Sequence, residues 1–428
     1  MNSVGERLRQ ARLARGLTQE QLARGLATKG FISQVESNRA VPSLAKLRVM
    51  ADRLGVPLAH FTGETSPLEL TYLRKSAELA VKVQEPERAL GFVDEALALI
   101  TTANERAELL RIRGRALDAL GRLGEALEAH QTAAAAVPPD DPELNAAIYA
   151  EIATVLQQLE QFSAGIEANL RALHALDRCK HADPALRSRV LHNLGRESYA
   201  LGQLEQADRY FQQALEAALD AENVRRAAIA HMSLGVSARA IGDLPRAIEH
   251  CQRALEMHNR IGQERIANRV LNNLGDVHYA AGNKAEARKL QQRCLLRARE
   301  LHDDFEIGVA AGELARYLLE SGEIKKALLL AKESQEAAER DGDHLHQAYA
   351  AAIEARAEDR LGHRQLADRK FKAAITLLLE RQAAGKLAEV CALYAEALRA
   401  RGQHDRAFSL MRAAAARDFS KLPQLLSG

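Results

Sequence analysis

The sequence has no tryptophan, and aromatic residues make up 4% of its 428 positions. Interior space must therefore be filled mainly by Ala and Leu, which are also strong helix formers. Cysteine is scarce. Cys179, Cys251, Cys294 and Cys391 are widely separated with no CxxC pair, which excludes a disulfide framework. Three of them fall at recurring small-residue positions, so buried, reduced thiols and a cytoplasmic location are expected. No apolar run approaches about 18 residues, so no membrane span and no membrane partner are expected. The start, "MNSVGERLRQARLARG", alternates charges too closely for the apolar stretch of a secretory signal. Fourteen histidines supply no HExxH and no paired metal spacing. His344 and His346, in "DGDHLHQ", read as a surface loop. No phosphate loop, GxGxxG, GxSxG or Cys/His signature is present. Catalytic residues, metal ligands and cofactors are therefore all expected to be none, and the chain is not expected to be an enzyme.

The chain is longer than one compact core usually requires, which points to several domains or a repeat array. Net charge is +2. Residues 1–64 hold ten Lys/Arg against five Asp/Glu, leaving the remainder faintly acidic. A basic module on an acidic body suggests that one end meets a polyanion.

Residues 3–62 read as five short helices. The first ends at Gly16. Thr18 with Gln21 three residues later forms a capping box for the second. "KGFISQVESNR" is the third, Pro42-Ser43 starts the fourth and Gly55 closes it, and Pro57 opens the fifth, ending near Phe61. Leu22, Ile32, Val35, Leu47 and Phe61 are its expected core, with Phe31 partly buried. Two short helices joined by a few residues, the second polar and basic, fit a helix-turn-helix. "LTQEQLA", "FISQVESNR", "PSLAKL" and "ADRLGV" resemble the XRE-type, lambda-repressor-like DNA-binding domain over about 60 residues. The inter-helix segment "RGLATKG" is one residue shorter than in phage repressors, as in peptide-sensing regulators. The third helix would then enter the major groove with its first turns, Thr28 and Lys29 onward, facing the bases. Gln34 could pair bidentately with adenine and Lys29 could reach guanine acceptors, with Ser33 a weaker candidate. Gly30 removes a side chain where backbone nears DNA. By the resemblance, Gln19 clamps a phosphate, and Asn38, Arg39 and Ser43 hold the next ones.

From about residue 70 the chain repeats. Glycines recur at 202, 242, 282, 322, 362 and 402, and alanines at 207, 247, 287, 327, 367 and 407, each 40 apart. A further small residue follows at 214, 254, 294, 334, 374 and 414. Nine units fit, beginning near 70, 107, 146, 188, 228, 268, 308, 348 and 388. A period of this length means a solenoid. Asp141 before Pro142 and Asp183 before Pro184 mark helix starts. "LG…Y/A…G…A…A" resembles the tetratricopeptide repeat, with helices longer than its usual ones. The expected architecture is all-α. Residues 1–64 form the helix-turn-helix domain, 65–69 a linker, 70–417 a right-handed superhelical solenoid for ligand binding and dimerisation, and 418–428 a tail.

A polar stripe, Arg189, His192, Arg196 and Tyr199, runs beside the apolar one, and the same offsets later give Arg269, Asn272, Asp276 and Tyr279. Arg239, Arg316, Arg356 and Arg399 extend it, and Asn193 and Asn273 lie beside it. By resemblance to tetratricopeptide grooves these residues face a concave wall. Carboxamides suit the alternating C=O and N–H of an extended peptide. Arginines would hold carboxylates, and tyrosines would flank side chains. Local salt bridging, such as Arg269 with Asp276, is the alternative reading of the stripe. The whole resembles the RRNPP-type peptide receptors of bacteria. That resemblance implies a transcription regulator: a homodimer on a two-fold double-stranded operator, controlled by a quorum-sensing-like peptide in the groove. The competing expectation is a DNA-binding scaffold whose repeats hold a partner protein.

Overall fold

The computed structural model describes residues 3–56, 58–62, 67–100 and 102–427, and the described residues form helices and no strand. None of the helices is long and apolar enough to cross a membrane. The chain divides into two compact units, Met1–Leu201 and Gly202–Gly428.

The first unit opens with α1 (Val4–Ala14), α2 (Gln19–Ala23), α3 (Lys29–Glu36), α4 (Leu44–Leu54) and α5 (Ala59–Thr62). Side chains start the first four. Ser3 and Glu6 form a capping box on α1, as Thr18 and Gln21 do on α2, while Thr28 accepts from the Phe31 N–H and Ser43 from that of Lys46. Each satisfies a backbone donor the helix itself cannot reach. Pro57, expected to open α5, lies outside the described residues, as do residues 65 and 66 of the expected linker. Leu8, Leu22, Ile32, Val35, Leu47, Met50 and Phe61 fill the core. Across it, Arg12 Nε and Nη2 donate to the two Glu36 oxygens at 2.5 and 2.9 Å, and Nη1 donates to the Leu17 carbonyl at 2.8 Å. Both side chains are at least nine-tenths buried. Burial alone would raise the Glu36 carboxyl, but hydrogen bonds from Arg12 and Gln19 and the Arg12 charge hold it below its ordinary value. Gly5 lets α1 lie on α3, since a Cβ there would sit 2.1 Å from the Val35 carbonyl oxygen.

Helical hairpins follow: α6 (Pro67–Lys82), α7 (Pro86–Leu97), α8 (Ala103–Ala119), α9 (Leu123–Ala136), α10 (Pro142–Gln158), α11 (Phe162–Asp177) and α12 (Pro184–Ala200). Asp141 and Asp183 cap α10 and α12 as their sequence context suggests. One acid is deeply buried. Glu197 is 0% exposed and accepts from Asn169 Nδ2 with both oxygens at 3.0 Å. Burial pushes its carboxyl up to about 7, against the opposing pull of Asn169 and Arg196. A carboxyl raised on folding adds stability that is complete below its unfolded value and fades as pH climbs through the folded one. Glu197→Gln is therefore expected to gain on the wild type between about pH 4.5 and pH 7, reaching roughly 1–3 kcal/mol by pH 8. Urea melts at pH 4.5 and pH 8 would read it, and an equal effect at both would contradict it.

The second unit alternates α13 (Leu204–Asp220), α14 (Val224–Ile241), α15 (Leu244–Arg260), α16 (Glu264–Ala280), α17 (Lys284–Glu300), α18 (Asp304–Glu320), α19 (Ile324–Asp341), α20 (His344–Arg360), α21 (Arg364–Glu380), α22 (Ala384–Ala400), α23 (His404–Ala416) and α24 (Leu422–Ser427). The turns between paired helices need a left-handed residue, and Gly242, Gly282, Gly322, Gly362 and Gly402 have φ from +79° to +95°. A Cβ there would meet nothing, so the backbone conformation alone explains these glycines. Ala247, Ala287, Ala327 and Ala367 are fully buried, which lets neighbouring helices close. Cys251, Cys294 and Cys391 are buried and Cys179 is partly so, all free. Burial pushes the Cys251 thiol up to about 11. His344 and His346, expected in a loop, belong instead to the first turn of α20. Asp343 caps that turn and meets His346 Nδ1 at 2.5 Å. Near the chain end, Leu422 is fully buried in the same apolar core as the repeats.

A candidate DNA face and a charged cleft

On α3, Lys29, Gly30, Ser33 and Gln34 are exposed, and so are Thr28 before it and Asn38, Arg39 and Ser43 after it. The opposite side of α3 supplies Ile32 and Val35 to the core, so one short amphipathic helix presents a polar face held rigidly from behind. Three of the exposed residues also have structural duties. Thr28 and Ser43 are caps, and Asn38, at φ +59°, accepts from the Gly5 N–H at 3.2 Å. Gln19 is half-buried and donates to Glu36 at 2.8 Å, which fixes its side chain at the start of α2. Phe31 is half-buried with the Lys46 ammonium 4.6 Å from its ring centre.

In the second unit a cleft of about 610 Å³ opens along the first helices of successive hairpins. Arg239 of α14, Asp276 and Tyr279 of α16, Arg316 of α18 and Arg356 of α20 are the sequence-expected residues it brings together. Glu313, Glu320, Tyr349, Arg360, Lys386, Glu389 and Glu396 line it as well. The signal for Glu396 was available: positions 276, 316, 356 and 396 are one column of the 40-residue period. Arg316 is the centre. It makes a forked pair with Glu313 at 2.9 and 2.6 Å, and its guanidinium carbon lies 4.4 and 4.7 Å from the ring centres of Tyr279 and Tyr317. Those two rings stack in parallel with centres 4.4 Å apart. The Tyr279 hydroxyl donates to Glu320. Asp276 receives Arg239 at 3.4 Å, and burial with the nearby Glu313 pushes its carboxyl above its ordinary range, against Arg239, Arg316 and Lys386. Arg356 bonds the Leu393 carbonyl and pairs with Glu396 at 3.1 Å. Lys386 lies 4.3 Å from the Tyr349 ring centre. Ten of the sixteen lining residues are charged, five of each sign.

Several expected wall residues lie elsewhere. Asn272 is 8% exposed, and its carboxamide oxygen accepts from Gln291 Nε2 at 2.9 Å. One turn earlier Asn268 donates to the Cys294 carbonyl. The carboxamides of α16 thus tie it to α17, while the Asn268 and Gln291 oxygens in the same seam stay unpartnered. Asn273, half-buried, is not in the cleft lining. Arg269, expected on the wall, turns to Glu306 at 3.0 Å and over the Phe305 ring, a local salt bridge of the alternative kind though with Glu306 and not Asp276. Asn193 is also buried. Arg189, His192, Arg196 and Tyr199 belong with it to the other unit, and Arg399 does not line this cleft.

The sequence matches the helix-turn-helix family over residues 8–61. It matches tetratricopeptide repeats over residues 188–220, 226–295 and 266–340. In sequence it matches none of the curated proteins compared with it. Among solved structures its fold is similar to the apo form of RapI, at TM-score 0.66 and 14% identity over 83% of this chain and 98% of the other. It is similar to the apo quorum sensor NprR of B. thuringiensis, at TM-score 0.61 and 14% identity over 82% and 97%. It is also similar to a Rap protein complexed with competence and sporulation factor, at TM-score 0.60 and 16% identity over 83% and 99%. At these identities the likeness is one of fold.

Proposed function

We propose that this chain, an XRE-type helix-turn-helix head joined to tetratricopeptide repeats, is a sequence-specific transcription regulator whose repeats bind a regulatory peptide. The peptide controls how a homodimer of the chain meets a two-fold operator. The observation that carries this reading is the presence in one chain of an exposed, rigidly backed α3 face and a charge-balanced cleft on five first helices. On the head, Lys29 and Gln34 read bases from the major groove, while Arg39 and the capped helix starts meet phosphates. In the cleft, equal numbers of both charges disfavour a polyanion and suit an extended peptide, which carries charges of both signs. The cleft is confined and polar, whereas a broad and apolar groove would favour the protein-partner reading.

Control follows if the peptide prefers one arrangement of the hairpins, since a ligand indifferent to both shifts nothing. Arg316 is placed to respond, because an incoming carboxylate competes with Glu313 for its fork. The test is native mass spectrometry of the protein purified from its own host. A bound species of peptide mass in the wild type, lost in Arg316→Ala, is expected. For the synthetic peptide of that mass, Arg316→Ala should weaken binding roughly 10- to 100-fold, the loss of one charged hydrogen-bonding group, with ligand-free DNA affinity unchanged. A stoichiometric protein instead of a peptide would replace this reading with the scaffold one.

A further inference from the structure

A second polar cluster lies in the first unit, on α8, α10 and α12. Glu151 of α10 pairs with Arg111 of α8, and the charges of Arg189 of α12 and Arg115 of α8 act on the same carboxyl, which burial nonetheless holds above its ordinary value. Arg111 Nη1 reaches Glu151 Oε1 at 3.5 Å, and His130 Nδ1 stands 3.7 Å from Oε2. The Nε groups of Arg111 and Arg189, His130 Nδ1 and Glu151 Oε2 are all buried without a hydrogen-bond partner. Arg115 and Arg189 have no ion-pair partner among the described residues. His130 does not relieve the imbalance by changing charge, since burial and the adjacent Arg111 and Arg115 push it down to about 4 and leave it neutral. Asp118 and Asp183 are the other acids nearby, and each already accepts a hydrogen bond, from Gln158 and from the Ala185 N–H. Three guanidiniums thus share one carboxylate in a half-buried place. Each is only partly covered, so an incoming group could reach them. Arg115 stands twelve residues after the start of α8, the offset at which Asp276, Arg316 and Arg356 line the cleft of the other unit.

We infer that Arg111, Arg115 and Arg189 form a binding site for the oxyanion of a small ligand, a phosphate or a paired carboxylate. Partly buried positive charge in excess of its counter-charge is stabilised by a bound anion, and guanidinium forks match both oxyanions bidentately. Glu151 competes with the ligand for the same donors. It sets the charge balance so that the empty site is tolerated and the filled one preferred. This site shares no residue with the cleft, and its test reads neither peptide nor DNA.

Isothermal titration calorimetry of the full chain with inorganic phosphate and with succinate, at constant ionic strength and against a chloride control, tests it. Saturable binding of phosphate identifies a phosphorylated ligand class and of succinate a carboxylate class, and either supports the site. Arg189→Gln should weaken the binding anion at least tenfold. Glu151→Gln should tighten it several-fold, which a purely structural role would not do. If Arg189→Gln does not fold, Arg115→Gln replaces it with the same expectation. No saturable heat with either anion, wild-type affinity in the arginine variant, or weaker binding in Glu151→Gln would each overturn the inference.

Discussion

Replacing Gln34 and Lys29 together with alanine is expected to abolish specific operator binding while leaving the head folded. Both side chains are exposed on α3, and neither contributes to the packed face formed by Ile32 and Val35. Each good base contact discriminates by about 1–3 kcal/mol, so losing two removes roughly 2–6 kcal/mol, or about 30-fold to 20,000-fold in affinity. Non-specific binding should fall far less, because the remaining basic residues still neutralise phosphates. The measurement is fluorescence anisotropy on an operator selected from random DNA by the wild type, beside a scrambled duplex at the same salt. Retained preference for the operator in the double variant would remove α3 from the reading role. A parallel loss on both duplexes would instead point to damage to the head, which the melting curve would reveal.

Arg12→Ala is expected to be the most damaging single change to the head. It leaves the Glu36 carboxylate, whose side chain is 5% exposed, without its charged partner and with only the Gln19 amide, and it frees the Leu17 carbonyl. Breaking a buried pair from one side typically costs about 3–5 kcal/mol, a large fraction of what so small a domain possesses. The ion pair also positions the exposed face of α3, because Glu36 ends α3 and holds Gln19 at the start of α2. Hydrogen exchange should therefore show α1 to α4 losing protection while α13 to α23 keep theirs. A double change, Arg12→Met with Glu36→Leu, should recover most of the stability, since replacing both charges leaves neither unpaired. If Arg12→Ala exchanges like the wild type, the pair does not hold the head together.

The helix starts were readable because capping chemistry is local. Thr18 with Gln21, Ser43 after Pro42, and Asp141 and Asp183 before proline all cap helices in the structure. The repeat was readable because the requirement recurs: a left-handed turn at 242, 282, 322, 362 and 402, and a small residue five positions later. The first helices nevertheless begin four residues before the expected unit starts, at 224, 264, 304, 344 and 384 rather than from 228 onward. The apolar signature marks the packed middle of each helix and not its polar first turn.

What the sequence determined by itself is everything fixed within a few turns of one helix: the caps, the phase of the buried stripe, the 40-residue step and the outward face of α3. Only the tertiary structure decided which polar residues line a cleft and which close a seam. Asn272 and Asp276 are one turn apart on α16 and both accept from Gln291 inside the hairpin, yet of the two only Asp276 also lines the cleft, where it meets Arg239 from the preceding one. Helical periodicity sets a side chain's angle on its own helix. Whether it ends in a seam or a cleft depends on which neighbour, tens of residues away in sequence, is long enough and suitably charged to meet it.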